Sequence, residues 1–274
     1  MRDYHFNFIE IGLSIDRRYF NRFFFYLATD VYLLYRTRSL NEFKLIKKVV
    51  NNPIIIGGCA RSGTTLLLSI LSSHPKIHAI PYESGIFNTK QFSSRHVKLI
   101  TLYNYILKNN LKETNVSICE KSPRNILAID DIIEFYGDNF KFINIVRDGR
   151  DVVTSIHPTQ PDRYWVLPKR WVSSLNKGRL YENHPQVLTI RYEDLVLDFN
   201  TVLTKICKFV NIEYTQEIKE YYNYSKISNI HEKKLAAPFS DSIGRWKQEK
   251  FKDVVHALMA DEQAEELLKY YKYL

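Results

Sequence analysis

The chain has 274 residues, of which 45% are hydrophobic and 25% are charged, and its formal net charge at pH 7 is +9. These figures exclude a disordered chain and allow one sizeable α/β domain with a hydrophobic core. The positive balance suits a polyanionic ligand, an acidic acceptor or an anionic membrane surface, and the sequence carries none of the motifs of nucleic-acid-binding proteins.

Cysteine usage and the lack of a long apolar run bear on the location of the protein. The three cysteines are widely spaced and form no C-x-x-C pair, which argues against a metal site or a disulfide framework. They favour a reducing compartment instead. The sequence shows neither a signal peptide nor a run of about 20 apolar residues, so we expect a cytoplasmic protein.

Residues 1–50 form a segment rich in aromatic side chains and arginine, ahead of the first predicted strand. Charged residues such as Arg22, Asp30 and Arg36 interrupt its apolar run, so we do not expect it to span a membrane. We interpret it as a helical extension that packs on the main domain, residues 51–274, or on a second subunit in a homodimer. The alternative is an interfacial helix that lies on a membrane surface.

The stretch from Pro53 to Leu71 predicts a strand, a glycine-containing loop and a helix. Ile54–Ile56 form a β-branched run that is typical of a strand buried on both faces. Gly58 and Gly63 have the spacing of a nucleoside-triphosphate loop, but Thr64 stands where such a loop carries lysine. The pattern predicts a helix N-terminus that binds a phosphate or a similar anion, with a bare glycine turn as the alternative.

Further strands and helices alternate along the chain. Strands are predicted at 77–80, 116–119, 141–146 and 187–191, and helices at 97–107, 124–135, 148–156 and 163–181. This alternation predicts an α/β fold with a mostly parallel central sheet flanked by helices, as in P-loop-like nucleotide-binding proteins. Arg61, Lys121 and Arg147 each follow a predicted strand, so we expect them to share one site beyond the carboxyl ends of the strands.

Four segments together resemble the motifs of a known family. They are ARSGTTLL at 60–67, FINIVRDGRDVVTS at 142–155, RYEDL at 191–195 and IGRW at 243–246. In this order they resemble PAPS-dependent sulfotransferases, closest in pattern to tyrosylprotein sulfotransferases and bacterial relatives. The resemblance implies transfer of a sulfuryl group from 3′-phosphoadenosine 5′-phosphosulfate (PAPS) to a hydroxyl, which leaves 3′-phosphoadenosine 5′-phosphate (PAP). It leaves the acceptor open between a peptide tyrosine, a saccharide, a lipid and a small metabolite.

The same resemblance implies a set of cofactor-binding residues. They are Arg61, Ser62, Gly63, Thr64 and Thr65 for the 5′-phosphosulfate, Arg147 and Ser155 for the 3′-phosphate, and Tyr192 and Arg245 for the same cofactor. Arg150 is the alternative to Arg147, and ordinary core packing is the alternative role for Tyr192. The polar loop 225–242 is interpreted as a lid, in which the further candidates are Ser228, Lys233 and Lys234.

Glu83 and Lys121 are the catalytic candidates, together with Arg61. Glu83 lies one residue later than the general base of tyrosylprotein sulfotransferases, and we expect its carboxylate to be buried; a solvated turn carboxylate is the alternative. Lys121 resembles the family lysine that stabilises the transition state, and the alternative is a salt bridge to Glu120 or a neighbouring carboxylate. The histidine base of the cytosolic enzymes is missing, because Pro123 stands in its place.

We expect no metal, because arginine and lysine side chains supply the positive charge that magnesium supplies in phosphoryl transfer. Two other classes of protein stay open. A nucleotide-dependent kinase or NTPase is disfavoured by Thr64 at the lysine position. A non-catalytic nucleotide-binding module is disfavoured by the presence of Arg61, Glu83 and Lys121.

Overall fold

The computed structural model describes residues 52–87, 95–109, 116–157, 159–227 and 240–274, together with the isolated positions 31, 35, 36 and 44. The chain divides into two compact units, one of Met1–Val50 and Gln91–Thr114, the other of Asn51–Lys90 and Asn115–Leu274. Most of residues 1–50 lies outside the described residues. The extension, its contact with a membrane or a second subunit, and the cytoplasmic location therefore stay predictions.

Seven strands are found in the described part of the chain. They are β1 Ile54–Gly58, β2 Ile77–Ala79, β3 Ser117–Lys121, β4 Lys141–Val146, β5 Ile156–His157, β6 Gln160–Tyr164 and β7 Val187–Arg191. Five of them form one sheet in the order β2-β3-β1-β4-β7, in which every pairing is parallel. The predicted parallel sheet is confirmed, and β5 and β6 form a separate antiparallel pair.

The strands are connected mainly by helices, which we number in chain order over the described residues. They are α1 Thr64–Ser73, α2 Arg95–Lys108, α3 Ile129–Tyr136, α4 Gly149–Val153, α5 Pro168–Arg179, α6 Tyr192–Leu197, α7 Phe199–Val210, α8 Gln216–Lys219, α9 Tyr221–Tyr224, α10 Lys252–Met259 and α11 Glu262–Tyr270. Short 3-10 helices occur at Pro123–Ala128, Ser240–Ser242, Arg245–Lys247 and Glu249–Phe251. No helix within the described ranges is long and apolar enough to cross a bilayer.

Two hydrophobic clusters show that helices cover the sheet on both faces. In one cluster, α1, α7 and α9 pack on side chains of the central strands, with Leu67, Leu203 and Tyr221 among its buried members. In the other, α4, α5, α10 and α11 pack around Trp171 and Val146. Burial on both faces explains why β1 begins with a continuous β-branched run, Ile54–Ile56. The predicted α/β fold with flanking helices is thus confirmed.

The smaller unit is represented by α2, which spans Arg95–Lys108. Its buried positions include Leu102, Tyr103 and Ile106. These side chains recur at the three- and four-residue spacing of one helix face, as expected for an amphipathic helix.

The sequence prediction was wrong for residues 163–167. We expected a helix over 163–181 with an interruption near Pro168, but β6 extends to Tyr164 in a hairpin with β5, and α5 begins only at Pro168. Proline is favoured at the first turn of a helix because its φ angle is fixed and its missing N–H is not needed there. The polar sequence QPDRY of β6 carries no apolar alternation, so the strand depends on its pairing partner.

The helix predicted at 148–156 is also shorter than expected, because α4 ends at Val153. The hydroxyl of Thr154 donates to Arg150 O at 2.8 Å, and the hydroxyl of Ser155 donates to Asp151 O at 2.9 Å. Hydroxyl groups thus satisfy the carbonyls at the end of the helix. Ser155 therefore follows the helix and does not lie one to two turns inside it.

Candidate functional site

The loop between β1 and α1 lies at the carboxyl end of the central strand. Its backbone is left-handed at Arg61 (φ 70°) and at Gly63 (φ 98°), and Ser62 N donates to Cys59 O at 3.2 Å. The ten-residue helix α1 then begins at Thr64, with no acidic residue in its first turn and no side-chain cap. Its first N–H groups and the positive end of its dipole are therefore available to an anion.

Gly63 is required by packing as well as by backbone geometry. A Cβ atom at this position would lie 2.4 Å from Cδ2 of Tyr192, far inside van der Waals contact. The ring of Tyr192 therefore packs directly on the backbone of the loop. On the same ring the guanidinium of Arg147 stacks, 4.3 Å from the centroid. Tyr192 is 8% exposed, so the core-packing role and the site role coincide in one residue.

Arg147 follows β4 and is held by backbone groups of two other segments. Its Nη1 donates to Arg61 O at 3.1 Å, and its Nη2 donates to Ser242 O at 2.5 Å. The Nε–H is buried and has no partner among the described residues. The indole of Trp171 donates to Arg147 O at 3.1 Å and so fixes its backbone. Arg147 thus carries a buried positive charge with one donor unsatisfied, as an anion site requires.

The segment 240–247 is fastened to the site by Asp151. One carboxylate oxygen accepts from Gly244 N at 2.8 Å and the other from Trp246 N at 3.1 Å. The hydroxyls of Ser242 and Tyr192 also hydrogen bond to each other at 2.7 Å. These contacts bring the residue between the two amides, Arg245, to the edge of the cluster. Sequence reasoning missed Asp151 and Ser242, because each acts on a segment more than 49 residues away in the chain.

Arg61, Arg147 and Arg245 form one positively charged cluster. The pKa of Arg61 is lowered, first by partial burial and then by the positive charges of Arg147 and Arg245. Among the described residues none of the three guanidinium groups forms an ion pair with a carboxylate. Three neighbouring cations beside a helix N-terminus repel one another until an anion compensates their charge.

Arg150 is engaged by the protein itself. Its Nη2 lies 2.7 Å from Asp148 Oδ2 and 2.7 Å from Tyr273 O, and its guanidinium stacks on Trp246 at 4.0 Å. Asp148 N in turn donates to Glu193 Oε1 at 3.0 Å. Asp148 thus compensates the charge of Arg150 and accepts from its Nε and Nη2, and these contacts order the backbone after Arg147. The geometry therefore favours Arg147 over Arg150 as the arginine available to a ligand.

Three of the other expected cofactor residues, Ser62, Thr64 and Thr65, belong to the same loop and the first turn of α1, whereas Ser155 follows α4. Ser62 is fully buried, and its hydroxyl has no hydrogen-bond partner in the described part of the chain. Thr64 is buried and Thr65 is exposed in the first turn of α1. Ser155 is half-buried, and its hydroxyl donates to Asp151 O. Its oxygen lone pairs stay available, but no hydroxyl proton is left to donate to an anion.

Glu83 and Lys121 form an ion pair at the end of β3. Lys121 Nζ lies 2.8 Å from Glu83 Oε1, and the side chains are 7% and 57% exposed, respectively. The salt bridge weighed for Lys121 exists, but its partner is Glu83 and not the adjacent Glu120. The expected burial of Glu83 is not found, because the carboxylate lies in an open turn after β2. The register aligns Lys121 with Ile56 of β1, at the same edge of the sheet as the arginine cluster.

The described residues fit an anionic ligand. The site contains arginine guanidinium groups, a helix N-terminus and buried donors without a partner in the described part of the chain, all of which bind phosphate. Within the described ranges no three His, Cys, Asp or Glu side chains are placed to hold a metal. The lid candidates Ser228, Lys233 and Lys234 lie outside the described residues, and their role stays a prediction.

Comparison with known proteins gives one family for most of the chain. A family model described as a sulfotransferase domain matches residues 51–273. A candidate protein-tyrosine sulfotransferase of Caenorhabditis briggsae is 24% identical over 199 residues, which cover 62% of this chain and 69% of that protein. A protein-tyrosine sulfotransferase of Drosophila melanogaster is 25% identical over 252 residues and covers 76% of this chain. The match spans 49% of the Drosophila protein, about half its length.

Solved structures share the fold. A sulfotransferase domain of the Synechococcus olefin synthase superposes with a TM-score of 0.65 at 20% identity, over 81% of this chain and 95% of that domain. A mouse sulfotransferase complexed with PAP superposes with a TM-score of 0.53 at 16% identity, over 85% of this chain and 94% of that one. At such identities the likeness supports the architecture alone.

Proposed function

The chain belongs to the sulfotransferase family, and we propose that it transfers a sulfuryl group from PAPS to an acceptor hydroxyl. The observation that carries this proposal is the cluster of Arg61, Arg147 and Arg245 beside the N-terminus of α1. A ligand with phosphate groups at both its 3′ and 5′ positions supplies the negative charge that such a cluster of cations requires. The mouse structure with bound PAP supports the same ligand class for this fold.

On the donor side we assign the 5′-phosphosulfate to the loop and the 3′-phosphate to Arg147. When bound, PAPS supplies an activated sulfuryl group on a phosphate leaving group. Arg61, the amides of the loop and the hydroxyls of Thr64 and Thr65 stabilise negative charge at the 5′ end. Arg147, supported by the ring of Tyr192, holds the 3′ end. The ring of Tyr192 and the carbonyl oxygens of Arg61 and Ser242 already orient Arg147, so little reorganisation is needed.

On the acceptor side we assign the proton transfer to Glu83. Its carboxylate is exposed, so an acceptor hydroxyl can approach within hydrogen-bonding distance and give up its proton. Lys121 Nζ, which donates to Glu83 Oε1, is the cation in direct contact with the proposed base. It stabilises the negative charge that develops on the transferred group, as lysine does in phosphoryl transfer.

A tyrosine phenol is the first acceptor to test, because both curated relatives are named for protein tyrosine. A phenol, with a pKa of about 10, loses its proton more easily than a sugar or lipid alcohol and suits a carboxylate base. Saccharides, lipids and small hydroxyl metabolites are the other acceptors to screen.

The test is transfer of labelled sulfate from PAPS to a tyrosine peptide and to a panel of sugars, lipids and small alcohols, without magnesium. The proposal requires labelled product with at least one acceptor and release of PAP in equal amount. A chain that instead turns over ATP only when magnesium is added would be a nucleotide-dependent phosphotransferase. A chain that binds PAP and transfers sulfate to nothing would support the non-catalytic module.

A further inference from the structure

A buried carboxylate beside the proposed catalytic pair has no role in the mechanism above. Glu120 is the penultimate residue of β3 and is 2% exposed. Three neutral groups donate to it: Ser84 Oγ at 2.7 Å and Ser122 Oγ at 2.8 Å to Oε1, and Asn125 Nδ2 at 2.6 Å to Oε2. Burial of a carboxylate is costly, and a full set of donors is what makes it tolerable.

The two serines connect Glu120 to the turn that carries Glu83. Ser84 Oγ accepts from Ile86 N at 3.3 Å, and Ser122 Oγ accepts from Gly85 N at 3.4 Å. Because each hydroxyl proton points at Glu120, a lone pair of each oxygen is turned towards an amide of the turn. Glu120 therefore orients both hydroxyls, and the hydroxyls fix the backbone that follows Glu83.

Asn125 connects the same carboxylate to the phosphate loop. Its Nδ2 donates to Ile56 O at 3.0 Å as well as to Glu120. Ile56 lies in β1, which leads into the loop before α1, and it is aligned with Lys121 in the sheet. Glu120 thus links the Glu83 turn to the strand that carries the donor-side loop.

Without this link, the exposed carboxylate of Glu83 would be held mainly by its ion pair with Lys121. Ion pairs with an exposed partner typically stabilise a given geometry only weakly. Glu120 and Lys121 are consecutive residues, and they contact the consecutive residues Ser84 and Glu83. The end of β3 therefore contacts the turn through two adjacent residues, Glu120 and Lys121.

We propose that Glu120 is a positioning residue, which holds the Glu83 carboxylate against Lys121 through Ser84 and Ser122. The inference rests on the proposed function, because it needs Glu83 to act on the acceptor. It goes beyond that function, because Glu120 contacts neither donor nor acceptor and acts only by fixing the position of the proposed base.

The test compares Ser84→Ala, Glu120→Gln and Ser84→Thr in the wild-type background and in the Glu83→Gln background. The assay is sulfate transfer from PAPS to the tyrosine peptide, with kcat and KM determined separately and PAP affinity measured by calorimetry. Ser173→Ala is the matched control, because that exposed serine donates only to Lys169 O within α5. Ser84→Ala keeps the proposal testable even where Glu120→Gln fails to fold.

We expect Ser84→Ala and Glu120→Gln to lower kcat about tenfold or more with PAP affinity unchanged, since a misplaced base loses rate and not donor binding. Ser84→Thr, which keeps the hydroxyl, should restore kcat. In the Glu83→Gln background neither substitution should lower kcat further, because residues that act as a unit are not additive.

A normal kcat in Ser84→Ala and Glu120→Gln, or an equal further loss in the Glu83→Gln background, would overturn the inference. The failure of the proposed function has a different signature: the wild-type chain would bind no PAP and transfer no sulfate. A wild-type chain that turns over, beside a Ser84→Ala variant of equal kcat, would refute only the role of Glu120.

Discussion

Lys121 Nζ donates to Glu83 Oε1 at 2.8 Å, and the two partners of this ion pair differ sharply in exposure. The lysine side chain is 7% exposed and the glutamate side chain is 57% exposed. The pair joins a buried cation at the end of β3 to a carboxylate that an acceptor can reach. Because β3 adjoins β1, this pair lies at the same sheet edge as the loop before α1.

Glu83→Gln should lower kcat for sulfate transfer by about 10²–10⁴-fold, the usual contribution of a general acid or base. PAP affinity should stay unchanged, because the arginine cluster belongs to other segments of the chain. Steady-state kinetics and calorimetry check the two statements. Glu249→Gln is the control, since Glu249 is 86% exposed and pairs only with the surface residue Lys252 in the described structure. Near-normal turnover in Glu83→Gln would remove the base assignment.

Gly63→Ala should destabilise the protein more than Gly137→Ala and should abolish tight PAP binding. Both glycines have a positive φ, 98° and 59°, a range that alanine rarely adopts, so both substitutions carry a backbone cost of about 1–3 kcal/mol. At Gly63 the new Cβ would also lie 2.4 Å from the ring of Tyr192, whereas at Gly137 nothing lies within 4 Å. Thermal unfolding and calorimetry measure both effects. Equal destabilisation by the two substitutions would contradict the packing of Tyr192 on the loop.

Tyr192→Phe and Tyr192→Ala should separate two roles of one side chain. The phenylalanine variant keeps the ring beneath Arg147 and loses the hydrogen bond to Ser242, which contributes about 1 kcal/mol. A loss of PAP affinity of about fivefold follows from that energy. The alanine variant also removes the stacking platform and should lose far more. Identical affinities of the two variants would show that the ring does not position Arg147.

The buried carboxylate of Glu120 predicts a pH-dependent stability difference. Burial raises the pKa of Glu120 above its ordinary value of 4.5. A raised folded-state pKa stabilises the fold at low pH, and this contribution is lost as pH rises above 4.5. The free energy of unfolding of the wild type minus that of Glu120→Gln should therefore fall as pH rises above 4.5, by at most about 1.4 kcal/mol per unit.

Urea unfolding of both proteins at several pH values measures this difference. Glu193, whose pKa is also raised by burial, is present in both proteins, so its contribution cancels. A difference that stays constant or grows with pH would mean that Glu120 does not titrate with a raised pKa in the folded protein.

The strands of the central sheet and the loop between β1 and α1 could be predicted from the sequence alone. The central strands β1 and β4 are short, mainly apolar runs buried on both faces, so their signal is local and needs no knowledge of their neighbours. Arg61 and Gly63 of the loop have a positive φ, which restricts the residue types allowed nearby. A short sequence pattern is therefore enough to recognise the loop.

The parts that the sequence did not predict depend on contacts between distant segments. The hairpin of β5 and β6 consists of polar residues whose strand conformation comes from pairing. Asp151 binds amides 93 and 95 residues away, and Glu120 binds Ser84 36 residues away. A buried polar network of this kind has no periodic pattern, so only the fold reveals it.

The most direct measurement is calorimetric titration of the wild-type chain and of Arg147→Ala with PAP, ATP and ADP in the absence of magnesium. Arg179→Ala is the matched control, because Arg179 forms an exposed ion pair with Glu266 on the outer helices. We expect the wild type and Arg179→Ala to bind PAP in preference to ATP and ADP, and we expect Arg147→Ala to lose this binding. Preference for ATP, or PAP binding that survives in Arg147→Ala, would contradict the proposal that the arginine cluster binds PAP.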